Sequence, residues 1–305
     1  MNSILSKVKL GTETGSRPPA AVELAPEGVL AAAVSAKGGA PVYAFQSLPP
    51  GSLVPGTGEP NLRAKEAIAA AIRSTLDQVS PRSRAVTVIV PDSVVRVFVL
   101  DFDSLPTKEA EAFPVLRFRL RKMVPFDIEH SAVTYQVLTQ SESEVKVLTA
   151  VIPGQILEEY EAAVRGAGYE PGAVLPSSLA SLAGIDSLEA VFTANLTGTA
   201  LTTSITNGND LLLYRTLDLP EEPTLRLDEV RRGVAVAAAY YEDRLQAPPR
   251  KLFYSGDGTA EEFAKWIDSP ELDVADLAPR PNSGIMTALG DLNIAAVTGA
   301  LAEAG

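Results

Sequence analysis

The 305-residue chain has no cysteine, one histidine and one tryptophan. Without thiolates, disulfides and cysteine metal sites are excluded, and a reducing compartment is the simplest home. His130 has neither a second imidazole nor a thiol with which to share a metal, and beside the PFDIE turn it reads as a surface or strand-edge residue. No apolar run reaches the roughly 18–20 residues that cross a bilayer. The opening segment MNSILSKVKLGTETGSRPP lacks the apolar centre and small-residue cleavage site of a secretory signal. Cations are scarce as well: 26 Lys and Arg stand against 38 Asp and Glu, a net charge of −12 that nucleic-acid phosphates would repel. These absences imply a soluble cytoplasmic protein with no nucleic acid among its partners.

What is present fits a folded protein. Hydrophobic residues make up 46% and charged residues 21%, and the length suits one large or two medium domains. Residues 1–19 are polar and end in Pro-Pro, so a flexible arm is expected. Strand candidates follow in AAVELAPEGVLAAAVSA and PVYAFQSL, punctuated by turns at Pro26-Glu27-Gly28 and Lys37-Gly38-Gly39. After a Pro/Gly-rich loop that includes GTGEP, Asn61 is placed to cap a helix with Ile68, Ile72, Leu76 and Val79 on one face. RAVTVIVPD reads as a buried strand.

Residues 93–169 then form a βαββα set: VVRVFVLDF, a helix opened by Thr107, SAVTYQVLT, VKVLTAVIP, and the helix QILEEYEAAVRGAGY. The second half starts again with three strands, AVFTANLT, ALTTSIT and DLLLYRTL, the last two joined through Asn207-Gly208. A long helix carrying Leu227, Val230, Val234, Ala238 and Tyr241 on one face, the strand KLFYSG, a helix around 261–267 and a final helix complete the chain. Trp266 is expected to pack beneath the small helix. The acidic groups DFD, EE (158–159) and YED read as solvated faces. Three strands, a helix, a strand and more helix thus occur twice, which suggests two similar α/β lobes with a cleft between them.

One stretch resists a simple reading. VLRFRLRK (115–122) holds Arg117, Arg119, Arg121 and Lys122, and it fits both a strand's alternation and a helix with Phe113, Leu116, Leu120 and Met123 on one side. Pro114 would cost a helix interior about 3 kcal/mol. A kinked helix packed on SAVTYQVLT and VKVLTAVI is expected, with Arg117 and Arg121 exposed for a partner or a membrane surface.

The layout, an α/β duplication with an insertion in its first lobe, resembles the actin-like ATPase superfamily. Within it the chain is similar to the PilM family of type IV pilus assembly and, more distantly, to FtsA and the cytoplasmic part of GspL. The residues that carry this likeness are LDFDSLP, the helix leading into VPFD, VTYQVL, VKVLTAVIPGQILEEYEAAVRGAGYEPGAVLPSSLA and the closing AAVTGALAEA. The resemblance implies a duplicated ribonuclease H-like fold. Its first-lobe core would be 20–92 and 170–188, its inserted subdomain 93–169, its second lobe 189–288, and 289–305 a helix packing back on the first lobe.

In that family ATP with Mg sits between the lobes on three loops, and each is altered here. Against the pattern D-I-G-S-S-S-V-K the chain has ELAPEGVL, with Glu23 for Asp, Ala25 for Gly and Leu30 for Lys. Against D-I-G-x-x-x-T it has NLTGTAL, with Asn195 for Asp, Thr197 for Gly, and Gly198 one position late. The Gly-Gly of the adenosine side becomes Gly256-Asp257-Gly258. Pro26 removes an amide donor and Leu30 a positive charge. The implied cofactor is therefore none, or ATP with Mg held by altered contacts, and no catalytic acid/base set is visible. The resemblance also implies a partner, the N-terminal tail of a PilN-like inner-membrane protein, which would dock between the first lobe's core and the inserted subdomain. Arg117, Arg121 and Phe126 are the candidate partner-binding residues. The alternative is an ATP-binding ATPase or small-molecule kinase of the same superfamily.

Overall fold

The computed structural model describes residues 17–34, 40–278 and 292–302. The Lys37-Gly38-Gly39 turn and most of the expected arm, residues 1–16, lie outside the described residues. Two five-stranded sheets dominate. The first contains β1 (Ala20–Ala25), β2 (Gly28–Ala33), β3 (Val42–Ser47), β4 (Ala85–Val90) and β8 (Glu170–Pro176) in the order β3-β2-β1-β4-β8. The second contains β9 (Ala190–Leu196), β10 (Ala200–Asn207), β11 (Asp210–Asp218), β12 (Lys251–Tyr254) and β13 (Asp273–Asp276) in the order β11-β10-β9-β12-β13. In each, three antiparallel strands are followed by two parallel additions. The two halves correspond strand for strand, although their residues show no repeat.

Local chemistry explains these elements. The hairpin of β1 and β2 turns at Pro26-Glu27, and its small Ala and Val side chains let a fully buried central strand be covered on both faces. In the second lobe, Gly208 takes φ +57° in the turn between β10 and β11. Helix α1 (Lys65–Val79) buries Ile68, Ala71, Ile72, Leu76 and Val79 against β2 and β3. Its counterpart α5 (Pro223–Leu245) covers β10 with Val230, Gly233, Val234 and Ala237. Glu222 caps α5, its carboxylate accepting the amides of Thr224 and Leu225, and those bonds hold its pKa down. The short α6 (Ala260–Ile267) begins with a Thr259/Glu262 capping box.

Between β4 and β8 in the chain comes a separate three-stranded antiparallel sheet of β5 (Arg96–Phe102), β7 (Val145–Pro153) and β6 (Ser131–Gln140). Helix α2 (Glu109–Leu120) covers it, with Leu116 and Leu120 buried among Leu100, Val145, Val147 and Val151. The basic stretch is thus helical, as its apolar spacing indicates, with Pro114 inside the helix.

Five expectations are corrected. Thr107 does not cap α2, because the helix starts two residues later behind Lys108, with no side-chain cap. Asn61 is no helix cap either. It is fully buried in the loop before α1, where its amide nitrogen donates to the carbonyls of Gly56 and Glu59 and its oxygen accepts from Gly56 N and the Tyr160 hydroxyl. Glu159, read as solvated, accepts the amides of Asn61 at 2.7 Å and Leu62 at 3.0 Å. Finally, the last helix of the βαββα set, α3 (Gly154–Gly166), packs on α1 and β8. Its Ile156, Tyr160 and Val164 belong to the first lobe's core, so α3 holds in the first lobe the place of α6 in the second. Trp266 is not under α6 but 40% exposed on it. Helix α4 (Ser177–Leu182) follows β8, and α7 (Ala295–Ala302) lies against α4, β1 and β2, with Gly299 close enough that a Cβ would strike the Ala180 carbonyl.

Candidate functional site

The strand ends of both lobes converge on one cleft. Its walls are the β1–β2 turn from Glu23 to Gly28, the start of α4 at Ser177, the β9–β10 turn from Asn195 to Thr199, and the turn after β12 from Ser255 to Gly258. All six residues expected at the altered nucleotide loops, Glu23, Asn195, Thr197, Gly198, Gly256 and Gly258, therefore line one cavity. Its enclosed volume is about 160 Å³.

Its charged lining is acidic. Glu23, Glu27 and Asp257 line it, and no Lys or Arg does among the described residues. Burial raises the Glu23 carboxyl to about 7, opposed by the Ser177 hydroxyl donated at 2.7 Å and aided by the charges of Asp92, Asp257 and Glu27. Asp257 is likewise raised to about 7, first by burial and then by Glu27, with Arg226 and the Gly198 amide opposing. Its side chain keeps an exposed surface on the cleft, so water tempers that rise.

The Gly198 amide is one of the donors a phosphate would need, and it is already given to the Asp257 carboxylate. The neighbouring carbonyls are also taken: Arg226 donates to Thr197 O at 2.9 Å and to Gly198 O. On the β1 side, Pro26 supplies no amide and Leu30 no charge. Three carboxylates thus line the cleft with no Lys or Arg among its described lining residues, and the described residues contain no group of three or more acidic or His side chains able to hold a metal ion.

The glycines have packing reasons of their own. A Cβ on Gly256 would come within 2.3 Å of Leu196 O and 2.4 Å of Leu196 N, where the turn after β12 crosses the end of β9. The crossing is stitched by Asp257 N to Leu196 O at 2.7 Å and Ser255 N to Ala194 O at 3.0 Å. Gly258 sits at φ +72°, a left-handed position that favours glycine.

Beneath the cleft a buried polar network joins the lobes, and sequence reasoning missed its centre. Asp92, 1% exposed, accepts Ser178 N at 3.0 Å and the Asn195 side-chain amide at 3.3 Å, with the hydroxyls of Ser178 and Thr202 also bonded to it. Its pKa is raised by burial and held back by those bonds. Ser178 also bonds the Tyr214 hydroxyl, Thr199 donates to Ser93 at 3.1 Å, and Arg96 pairs with Asp218 at 2.6 Å. Asn195 is thus a link between the lobes. The signal was present in PDSVV, an Asp directly after a buried β-branched strand.

The candidate partner residues are not gathered on one free surface. Arg117 is half-buried and donates to the carbonyls of Ile128 and, at 3.1 Å, Ser131, so the expected exposure is corrected: its guanidinium ties α2 to the loop before β6. Arg121 is exposed but paired with Glu129. Phe126 is partly buried against the core of the three-stranded sheet. His130 is exposed, bonded to Asp127 at 2.6 Å.

Two duplicated lobes around a cleft, with a small sheet inserted in the first, define the actin-like ATPase fold, and this chain has it. No protein-family model matches the chain, and no curated protein matches it. Among solved structures, a chain of the PilM-PilN type IV pilus biogenesis complex is similar at a TM-score of 0.73 and 18% identity, over 95% of this chain and 100% of that one. The cytoplasmic domain of EpsL, an inner membrane component of the Vibrio cholerae type II secretion system, is similar at 0.50 and 15% identity over 88% and 91%. A Bacteroides thetaiotaomicron protein of actin-like ATPase fold and unknown function is similar at 0.51 and 13% identity over 94% and 96%. The likeness to PilM read from the sequence is present in the fold. Among the described residues no helix is long and apolar enough to cross a membrane.

Proposed function

We propose that this chain is an actin-like adaptor of a type IV pilus or type II secretion platform. It works at the cytoplasmic face of the inner membrane and binds the N-terminal tail of a PilN-like membrane protein without turning over ATP. The observation that carries this reading is the likeness to the PilM-PilN chain, which spans the whole of that chain, inserted sheet included. The cleft supports the second half of the reading, because carboxylates line it, no Lys or Arg does among its described residues, and the Gly198 amide is bonded to Asp257. Peptide capture needs apolar pockets and backbone hydrogen bonds rather than catalytic groups. The tail would dock where the first lobe's core meets the inserted sheet. A kinase or ATPase of the same fold needs phosphate-binding cations, and no described cleft-lining residue supplies one.

The test is a calorimetric titration with synthetic N-terminal tails of the membrane proteins encoded in the pilus or secretion genes of the same genome. Saturable binding of one tail is expected. Absence of binding by every tail, with the protein shown to be folded by circular dichroism, overturns the proposal.

A further inference from the structure

Helix α2, which covers the inserted sheet, turns a stripe of side chains to solvent. Positions 115, 118, 119 and 122 are spaced i, i+3, i+4 and i+7, so Val115, Phe118, Arg119 and Lys122 form one stripe along α2 and its C-terminal turn. The opposite stripe, Ala112, Leu116 and Leu120, is fully buried. Phe118 is 69% exposed, Val115 37%, and Met123, in the turn after the helix, 40%. Scattered exposed apolar residues are ordinary, but three within nine residues beside two cations are a patch.

The charges of this segment sort themselves. Arg121 is committed to Glu129, Lys108 to Glu111, and Asp127 to His130. Arg119 and Lys122 are exposed, and among the described residues no ion pair holds either. The segment 108–129 has five Lys and Arg (108, 117, 119, 121, 122) against four Asp and Glu (109, 111, 127, 129), in a chain of net charge −12. An anionic surface repels most of this molecule, but beyond about 8–10 Å salt screens that repulsion, and the charge of the touching face decides.

We propose that this outer face of α2 is a contact surface for an anionic lipid bilayer. Phe118, Val115 and Met123 enter the headgroup–acyl boundary while Arg119 and Lys122 meet the headgroup phosphates. The order of chemistry, apolar tips flanked by long cationic side chains on the outer side of a helix, matches that of a bilayer surface. The bonds of Arg117 to Ile128 and Ser131 hold the helix while its outer face is engaged. The contact is weak by itself, at most comparable to a single acyl chain, so it adds to a tethered partner rather than replacing one. It does not depend on tail binding and is tested without any tail.

The experiment is flotation of the full chain with vesicles at roughly millimolar lipid. One set is phosphatidylglycerol mixed with phosphatidylcholine, the other phosphatidylcholine alone. Recovery with the anionic vesicles only, lost at high salt, is the expected result. Arg119→Gln with Lys122→Gln should weaken the vesicle partition constant, read from recovery across a lipid titration, roughly thirtyfold, from the usual contribution of a basic residue near such a surface. Phe118→Ser should weaken it several-fold, with unchanged circular dichroism in each variant. A nitroxide on Phe118→Cys, in a chain with no other cysteine, should become shielded from aqueous relaxation agents on the anionic vesicles. No recovery at that lipid concentration, equal recovery with both vesicle types, or variants that float like the parent would each overturn the proposal.

Discussion

Glu23→Gln gives the sharpest physical test of the acidic cleft. The Glu23 carboxyl stands at about 7 instead of 4.5, chiefly because of burial. Its difference of roughly 2.5 units corresponds to about 3 kcal/mol at 1.36 kcal/mol per unit. The side chain opens on a wet cleft, so screening reduces this to about 1–2 kcal/mol. The sign follows from linkage. The folded state holds its proton to higher pH than the unfolded chain, so stability is full below pH 4.5 and falls as pH rises through about 7. Glutamine stays neutral throughout and can still accept the Ser177 hydroxyl. In urea titrations from pH 4.5 to 8, Glu23→Gln should match the parent at the acid end and exceed it by about 1–2 kcal/mol at pH 8. Parallel pH profiles for the two proteins would refute the idea that this carboxylate is held against its own repulsion and burial.

Other substitutions separate interlobe packing from ligand binding. Asp92→Ala strands the Ser178 amide and the Asn195 side chain, and a loss of about 2–4 kcal/mol is expected by urea unfolding, with Asp92→Asn costing less. Gly256→Ala drives a methyl into the Leu196 backbone, so it should lower the melting temperature steeply or prevent folding; a normal melt would show that this glycine is not needed for packing. Asn61→Ala removes the bonds to Gly56, Glu59 and Tyr160, an expected cost of about 2–3 kcal/mol in the same assay. Arg117→Ala should cost about 1–2 kcal/mol whereas Arg119→Ala should stay within about 0.5 kcal/mol, reversing what the expected exposure of Arg117 would give.

The sequence made the order of elements legible because period and turn chemistry are local. The β-branched run of β4 and the Asn207-Gly208 hairpin each declare themselves within a few residues, whereas the α2 stretch also fits a strand's alternation and needs its neighbours to decide it. Positions in the cleft were legible for the same reason, since Glu23 and Asn195 sit near the ends of their strands and Gly256 just past one. What the sequence hid is contact between residues far apart in the chain. Nothing local to Asn61 shows that Tyr160 and Glu159 will meet it across about a hundred residues. Nor does Asp257 declare that its carboxylate takes the Gly198 amide. Arg117 and Arg119 look alike in sequence, and only the position of the loop before β6 makes one structural and leaves the other free.

The most direct test of the central claim is a titration of the full chain with Mg-ATP by calorimetry. The cleft joins its lobes through Asp92, Asn195 and Ser178, and its phosphate donor is taken by Asp257. No saturable heat and no change in melting temperature at millimolar nucleotide are therefore expected. Micromolar binding, abolished by changing Glu23 or Asn195, would contradict it.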